Sequence, residues 1–354
     1  MIISCLLFTC IILATLPVIE NSDGSCKKNE TTSDTGQYPV SAEYSEIEMS
    51  SGHTVEVIVY YPGYERLMDR IERDREAPFP VVIFSPGAGG GGVGEYDDLV
   101  SDIASFGFVV AGVSWRYESD REDDVAHMDH TRVIDHVEEM SNTLNSPLYN
   151  LADTDNCGAY GHSRGGRSAF LASKVDDRIK SICAWMPTLD NGTHVDQTTD
   201  KLLFAGEKDE IAKPIVWTDS LYESCDPPII YINVTGGDHS PNRETHGNIT
   251  NMFSRYHLSG ESTLESKLYG EDIKSRADGG EFRLKIKSQS GEYDSKPGGS
   301  DDWSDSDDQS PEGDDTVDGP SGGNTWIIWL LIIFTLVLGS FLYLLWKKKK
   351  IRIN

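Results

Sequence analysis

The apolar run Asn156–Tyr160 breaks into Gly161-His162-Ser163-Arg164-Gly165-Gly166 and then into a helix-forming stretch that opens Arg167-Ser168-Ala169. A G-x-S-x-G turn between a strand and a helix has few backbone solutions. Small residues must flank a strained bend that lifts the serine hydroxyl above the sheet, at the N-terminus of the helix behind it. The motif alone is weak in a chain with 33 glycines, and its strand-turn-helix setting is what gives it weight.

The surrounding pattern agrees with that setting. Glu43–Met49 and His53–Tyr60 alternate apolar and polar residues around Ser50-Ser51-Gly52, which predicts a hairpin. Short apolar runs follow at Pro80–Ser85, Gly107–Val113, Cys157–Gly161, Ile179–Trp185, Lys201–Ala205 and Pro228–Val234. Helical periodicity lies between several of them, over Tyr96–Phe106, Asp123–Leu144, Arg164–Lys174 and Asn248–Leu258. Strand-helix alternation after an antiparallel start predicts an α/β domain over residues 25–270, with a mostly parallel central sheet covered by helices on both faces. Sites in such sheets lie outside the carboxyl ends of the strands.

Three of those ends carry the residue types of acyl-transfer chemistry. A serine nucleophile needs a base, and the base needs an acid to orient it, in the chain order Ser, Asp, His. Ser163 is the candidate nucleophile. Lys201–Ala205 runs into Gly206-Glu207-Lys208-Asp209-Glu210, which makes Asp209 the candidate acid in competition with Glu207 and Glu210. Pro228–Val234 runs into Thr235-Gly236-Gly237-Asp238-His239, which makes His239 the candidate base, with His246 as its rival. The backbone N–H of Arg164 and an N–H from the loop Ser85–Gly92, assigned to Ala88, would stabilise an oxyanion. Gly87, Gly89, His162 and Trp185 are candidate substrate-binding residues, while Trp217 and Tyr222 fit core packing. No Lys-Ser/Thr follows the glycine run, so a phosphate cradle is excluded. His127, His130 and His136 lie in an acid-rich helical stretch without a third ligand at metal spacing, so neither a metal nor a cofactor is expected.

Together these residues resemble the α/β-hydrolase serine esterases that include chlorophyllases, dienelactone-hydrolase-like enzymes, cutinase-like polyester hydrolases and platelet-activating-factor acetylhydrolases. The resemblance spans about Glu43 to Leu268. Gly161–Gly166 is similar to the chlorophyllase elbow. Ser85-Pro86-Gly87, Gly206–Ala212, His239–Asn242 and Met252–Leu264 are similar to polyester-hydrolase segments. Ala88 stands where polyester hydrolases usually carry an aromatic ring. The resemblance implies hydrolysis of a carboxylic ester, a lipid-like one among the candidates, through an acyl-enzyme. A hydrolase-fold ectodomain that binds a partner without catalysing is the alternative.

The two ends of the chain carry addresses. Residues 1–24 open with an apolar run closed by Pro17, which predicts a signal peptide. Trp326–Trp346 is an uncharged run long enough to cross a hydrocarbon core of about 30 Å. Trp326, Trp329, Tyr343 and Trp346 sit near its ends, and residues 347–354 form a basic tail. Positive charge stays cytoplasmic, so the expected topology is single-pass type I, with the domain extracellular or lumenal and the cell surface favoured. Residues 271–325, rich in Gly, Ser and Asp, are expected to be a solvated acidic stalk. Cys26, Cys157, Cys183 and Cys225 are an even set that predicts two disulfides of open connectivity. Asn29, Asn191, Asn233 and Asn248 open glycosylation sequons, with Asn233 expected to be used least because it lies in a strand. A formal charge of −27 opposes nucleic-acid binding.

Overall fold

The computed structural model of the chain describes residues 36–49, 52, 54–89, 92–114, 126–189, 199–288 and 291–295. The signal segment, Cys26, Asn29, Asn191, the apolar run at 326–346 and the basic tail lie outside the described residues. Among the described residues, no helix is long and apolar enough to cross a membrane.

The elements follow in the order β1 (Val40–Glu48), β2 (Thr54–Pro62), α1 (Leu67–Glu76), β3 (Phe79–Ser85), α2 (Asp97–Ser105), β4 (Val109–Ser114), α3 (Ala126–Asn142) and β5 (Ala152–His162). They continue with α4 (Arg164–Ala172), β6 (Ile179–Trp185), β7 (Asp200–Gly206), α5 (Thr218–Ser224), β8 (Ile229–Val234), α6 (Asn248–His257), α7 (Glu265–Leu268), α8 (Glu271–Asp278), β9 (Phe282–Ser288) and β10 (Gly291–Asp294). The described strands form one sheet in the order β1-β2-β4-β3-β5-β6-β7-β8-β9-β10. Strands β4 through β8 are parallel, and an antiparallel pair flanks them at either edge. The first hairpin pairs Glu48 with Thr54, and Gly52 takes the left-handed φ of 78° that its turn requires.

Alternation along each central strand divides the core into two layers. Val81, Ile83, Ala159, Ile182 and Leu203 face α3, α4 and α5, which contribute Val133, Val137, Phe170 and Leu221. Val82, Phe84, Tyr160, Trp185 and Phe204 face α2, α6 and α8, which contribute Val100, Ile103, Phe253 and Ile273. The mostly parallel sheet with helices on both faces is therefore present as the alternation predicted. Tyr222 lies in the first layer and Trp217 packs against the second.

Two expectations are corrected. The folded unit does not end at Gly270, because α8, β9 and β10 extend it to Asp294, into the first part of what was expected to be stalk. In β9, Phe282, Leu284 and Ile286 join the second core layer, while on the other face Lys285 and Lys287 lie over the Tyr222 ring and Arg283 is exposed. The strand pairs antiparallel with β8 and covers its edge. The two disulfides are absent among the described residues: Cys157, Cys183 and Cys225 are buried free thiols. Cys157 and Cys183 sit in opposite core layers, so the sheet itself separates them. Burial pushes the thiols of Cys183 and Cys225 up to about 12 and about 11.

Removing β9 would expose the β8 edge and take Phe282, Leu284 and Ile286 out of the second core layer. A fragment ending at Gly270 is therefore expected to lose cooperative unfolding, whereas one ending after Ser295 keeps it. Leu284→Ala should cost about 2–5 kcal/mol in urea denaturation of the longer fragment.

Candidate active site

The elbow is built by glycines that let two backbones touch. Ser163 adopts φ 54° and ψ −118°, a left-handed conformation that an L-residue holds only under constraint. Its N–H donates to the Trp185 carbonyl at 2.8 Å, and its own carbonyl accepts from Arg167 at 3.2 Å and Thr188 at 3.3 Å. A Cβ on Gly165 would stand 1.8 Å from the Ser85 carbonyl oxygen, and one on Gly161 would stand 2.4 Å from the Gly165 backbone. The G-x-S-x-G spacing thus brings the turn directly beneath the loop that follows β3. Arg164 opens α4 behind the serine, and Ala88 lies exposed in the β3 loop.

The candidate acid and base lie at the ends of β7 and β8. Asp209 has a fully buried side chain, and its Oδ2 accepts a 2.7 Å hydrogen bond from Nδ1 of His239. Its other oxygen accepts from the N–H groups of Ile211 at 2.8 Å and Ala212 at 2.7 Å. Three donors satisfy a carboxylate that burial would otherwise penalise. The bond at Nδ1 leaves Nε2 of His239 as the proton-accepting nitrogen. The two loops meet because Gly206 has no side chain, since a Cβ there would lie 2.3 Å from the Asp238 carbonyl oxygen. The competing acids are used elsewhere: Glu207 accepts from the Gly236 N–H at 2.6 Å, and Glu210 pairs with Lys213 at the surface. His246, the rival base, is buried against Phe204, and its Nδ1 accepts from the Asn242 N–H at 3.2 Å.

His162 and Trp185, expected as substrate-binding residues, both have protein partners. The Nε2 of His162 lies 2.9 Å from the His239 carbonyl oxygen, and its Nδ1 lies 2.7 Å from the Tyr96 hydroxyl. Both ring nitrogens are therefore occupied by the protein. Burial, with His239 beside it, pushes His162 down to about 3 and keeps the ring neutral. Trp185 is fully buried, donates from Nε1 to Thr250 Oγ1 at 3.1 Å, and packs 5.3 Å from Phe84. Its position past a strand end made it look like a pocket residue, but it points into the layer below. Of the two glycines, Gly87 donates its N–H to the Tyr96 hydroxyl at 3.3 Å, and Gly89 is exposed with φ 128°. Tyr96 is the residue that the sequence concealed. It lies 66 positions from His162, in no motif, and only the fold brings the two together.

The Arg243 side chain reaches back to Asp102 at 2.6 Å, and Asn251 bonds the other oxygen of the same carboxylate. This ties the segment after His239 to α2 and α6. Beside it, a cavity of about 420 Å³ is lined by Tyr96, Asp98, Pro241 and Arg243. Among the described residues, no group of three or more His, Cys, Asp and Glu side chains is placed to hold a metal ion. The sequon residue Asn248 is exposed at the start of α6, whereas Asn233 is half-buried in β8 opposite Arg283.

Two predictions follow from burial. Gly165→Ala should destabilise the fold by about 1–3 kcal/mol in chemical denaturation, because the added methyl meets backbone rather than a movable side chain. His162 and His246 are both held below the ordinary value of 6.5, at about 3 and about 4. The unfolded chain therefore binds more protons than the folded one as pH falls below about 6.5, and stability declines with it. The melting temperature should drop from pH 6.5 towards 4. His246→Asn, whose amide oxygen can still accept from Asn242, should flatten that slope.

With this geometry in hand, the comparison with known proteins is direct. No curated protein matches the chain. The family model described as PET hydrolase-like (PETase) matches residues 34–259, a span that contains the elbow and the ends of β3, β7 and β8. The chain therefore belongs to the PET hydrolase-like family of α/β-hydrolases, a family of ester hydrolases.

Proposed function

We propose that this protein is a membrane-anchored serine carboxylesterase. The observation that carries the reading is the Asp209–His239 pair, which is buried and short at 2.7 Å and lies beside the strained Ser163 elbow at one edge of the sheet. In this reading His239 Nε2 takes the Ser163 proton and the alkoxide attacks the ester carbonyl. The amides of Ala88 and Arg164 stabilise the oxyanion. The protonated His239, steadied by Asp209, passes its proton to the departing alcohol. Water, activated by the same nitrogen, then releases the acid and restores Ser163.

Two features bear on the substrate. The small Ala88 side chain leaves the oxyanion loop without an aromatic ring to stack on an aromatic acyl group, which supports a compact aliphatic ester. The charge of −27 disfavours anionic esters, which supports a neutral one. The apolar run at 326–346, followed by Lys347–Lys350, supports type I anchoring, and the acidic stretch at 301–318 supports a spacer between anchor and domain. The apolar N-terminus supports entry into the secretory route. The exposed Asn248 is then a better glycan acceptor than Asn233.

A fluorophosphonate should label Ser163 covalently, as read by mass spectrometry, and p-nitrophenyl esters of short chain should be turned over. Ser163→Ala should abolish both, and Asp209→Asn should lower kcat about 10³–10⁴-fold by removing the acceptor that sets the His239 tautomer. Folded protein that neither labels nor hydrolyses would overturn the reading in favour of a binding ectodomain.

A further inference from the structure

Three loops must agree on one geometry for the chemistry above, and they come from the ends of β3, β5 and β8. The Tyr96 side chain, at the far end of the β3–α2 connection, links them through His162. The Gly87 N–H lies 3.3 Å from the Tyr96 hydroxyl, that hydroxyl lies 2.7 Å from His162 Nδ1, and His162 Nε2 lies 2.9 Å from the His239 carbonyl oxygen. We propose that Tyr96 is a positioning residue of the hydrolytic site, acting through His162 on the His239 backbone and through Gly87 on the oxyanion loop. The inference rests on the hydrolytic reading and adds to it a residue that touches none of the reacting atoms.

The direction of the chain is fixed by its ends. A carbonyl can only accept, so His162 carries its proton on Nε2 and presents a lone pair at Nδ1. The Tyr96 O–H must then donate to Nδ1, and its oxygen is free to accept from Gly87. The order runs without ambiguity from Gly87 to Tyr96 to His162 to His239. Burial raises the Tyr96 phenol and keeps it protonated, as a donor must be.

Each link is braced. The Tyr96 ring sits 4.9 Å from Phe84 and 6.4 Å from Trp185, whose indole is held by Thr250. The rings of His162 and His239 lie 4.6 Å apart, so His162 cannot change rotamer without meeting the base. A Cβ on Gly87 would lie 2.8 Å from His162 Nδ1, so the oxyanion loop is pressed against the same ring. On either side of His239, Asp238 and Ser240 are exposed. The base therefore stands on a loop with solvent around it, and the His162 bond anchors its backbone at the residue itself. The bond to Tyr96 also engages the Gly87 N–H, which leaves the next amide, that of Ala88, for the oxyanion.

The test uses the full-length chain. Tyr96→Phe keeps the ring and removes both hydrogen bonds. It should lower kcat for p-nitrophenyl acetate about 10–100-fold while KM stays within about threefold, since a small misplacement of a reacting group acts on the transition state. The low-field proton resonance of His239 Nδ1–H should shift or broaden, which a purely structural change elsewhere would not produce. His162→Gln retains a donor to the His239 carbonyl and should lose less activity than His162→Asn, which retains only the acceptor for Tyr96. Because Tyr96 and His162 act in one chain, the loss from Tyr96→Phe should shrink in the His162→Asn background.

A Tyr96→Phe enzyme with kcat within about twofold of the parent, or losses that simply multiply in the double variant, would overturn the proposal. If Tyr96→Phe does not fold, the ranking of His162→Gln against His162→Asn decides by the same readouts. If the parent neither labels at Ser163 nor hydrolyses, the esterase reading fails. The His239 resonance then still answers for the strut, because an unshifted proton in Tyr96→Phe would refute it.

Discussion

At the carboxyl edge of the sheet, backbone meets backbone in three places where a single added carbon would not fit. Gly165 lies against the Ser85 carbonyl, Gly161 against Gly165, and Gly206 against the Asp238 carbonyl. These contacts bring the loops after β3, β5, β7 and β8 close enough to share side chains, and the polar network depends on that approach. The strain at Ser163 follows from the same crowding, since the elbow has no room to relax into an extended or helical φ.

Two groups at the centre of this edge have their hydrogen-bonding capacity filled by the protein. Asp209 accepts three N–H groups, and His162 uses both nitrogens. Polar groups buried this way hold one geometry, because any other arrangement leaves a donor or acceptor unpaired in a medium that penalises it. Preorganisation of this kind is what acyl transfer requires, since dipoles already aimed at the reacting centre need not turn during the reaction. Behind the edge, the two apolar layers keep the strand ends in place, and Asp102 couples α2 to the segment after His239 through Arg243 and Asn251.

Much of the fold was legible because its signals are local. Central strands such as Ile179–Trp185 are continuous apolar runs bounded by polar residues, and helices such as Asn248–His257 show a clear apolar face. The hydrogen-bonded pair Asp209 and His239 was legible for a related reason, as each stands a few residues past such a run. What escaped was masked by composition or by distance. The alternation Phe282-Arg283-Leu284-Lys285-Ile286-Lys287 is a sound strand signal, yet it sits inside a Gly-, Ser- and Asp-rich context that reads as spacer. The segment α1 carries exposed Leu67 and Met68 among charges, so its pattern announces no buried face. An even cysteine count suggested pairing, but counting says nothing about which side of a sheet a thiol occupies.

The sequence by itself carried the layer architecture, the strand-turn-helix elbow and a short set of candidates, Ser163, Asp209 beside Glu207 and Glu210, and His239 beside His246, because each depends on residues within one turn or one strand of each other. Tertiary structure decided which of three neighbouring acids faces the histidine, that Trp185 is buried in the core, and that both nitrogens of His162 meet protein groups. It alone joined Tyr96 to the site. Those outcomes depend on where backbones separated by tens of residues come into contact, and that follows from the packing of the whole sheet.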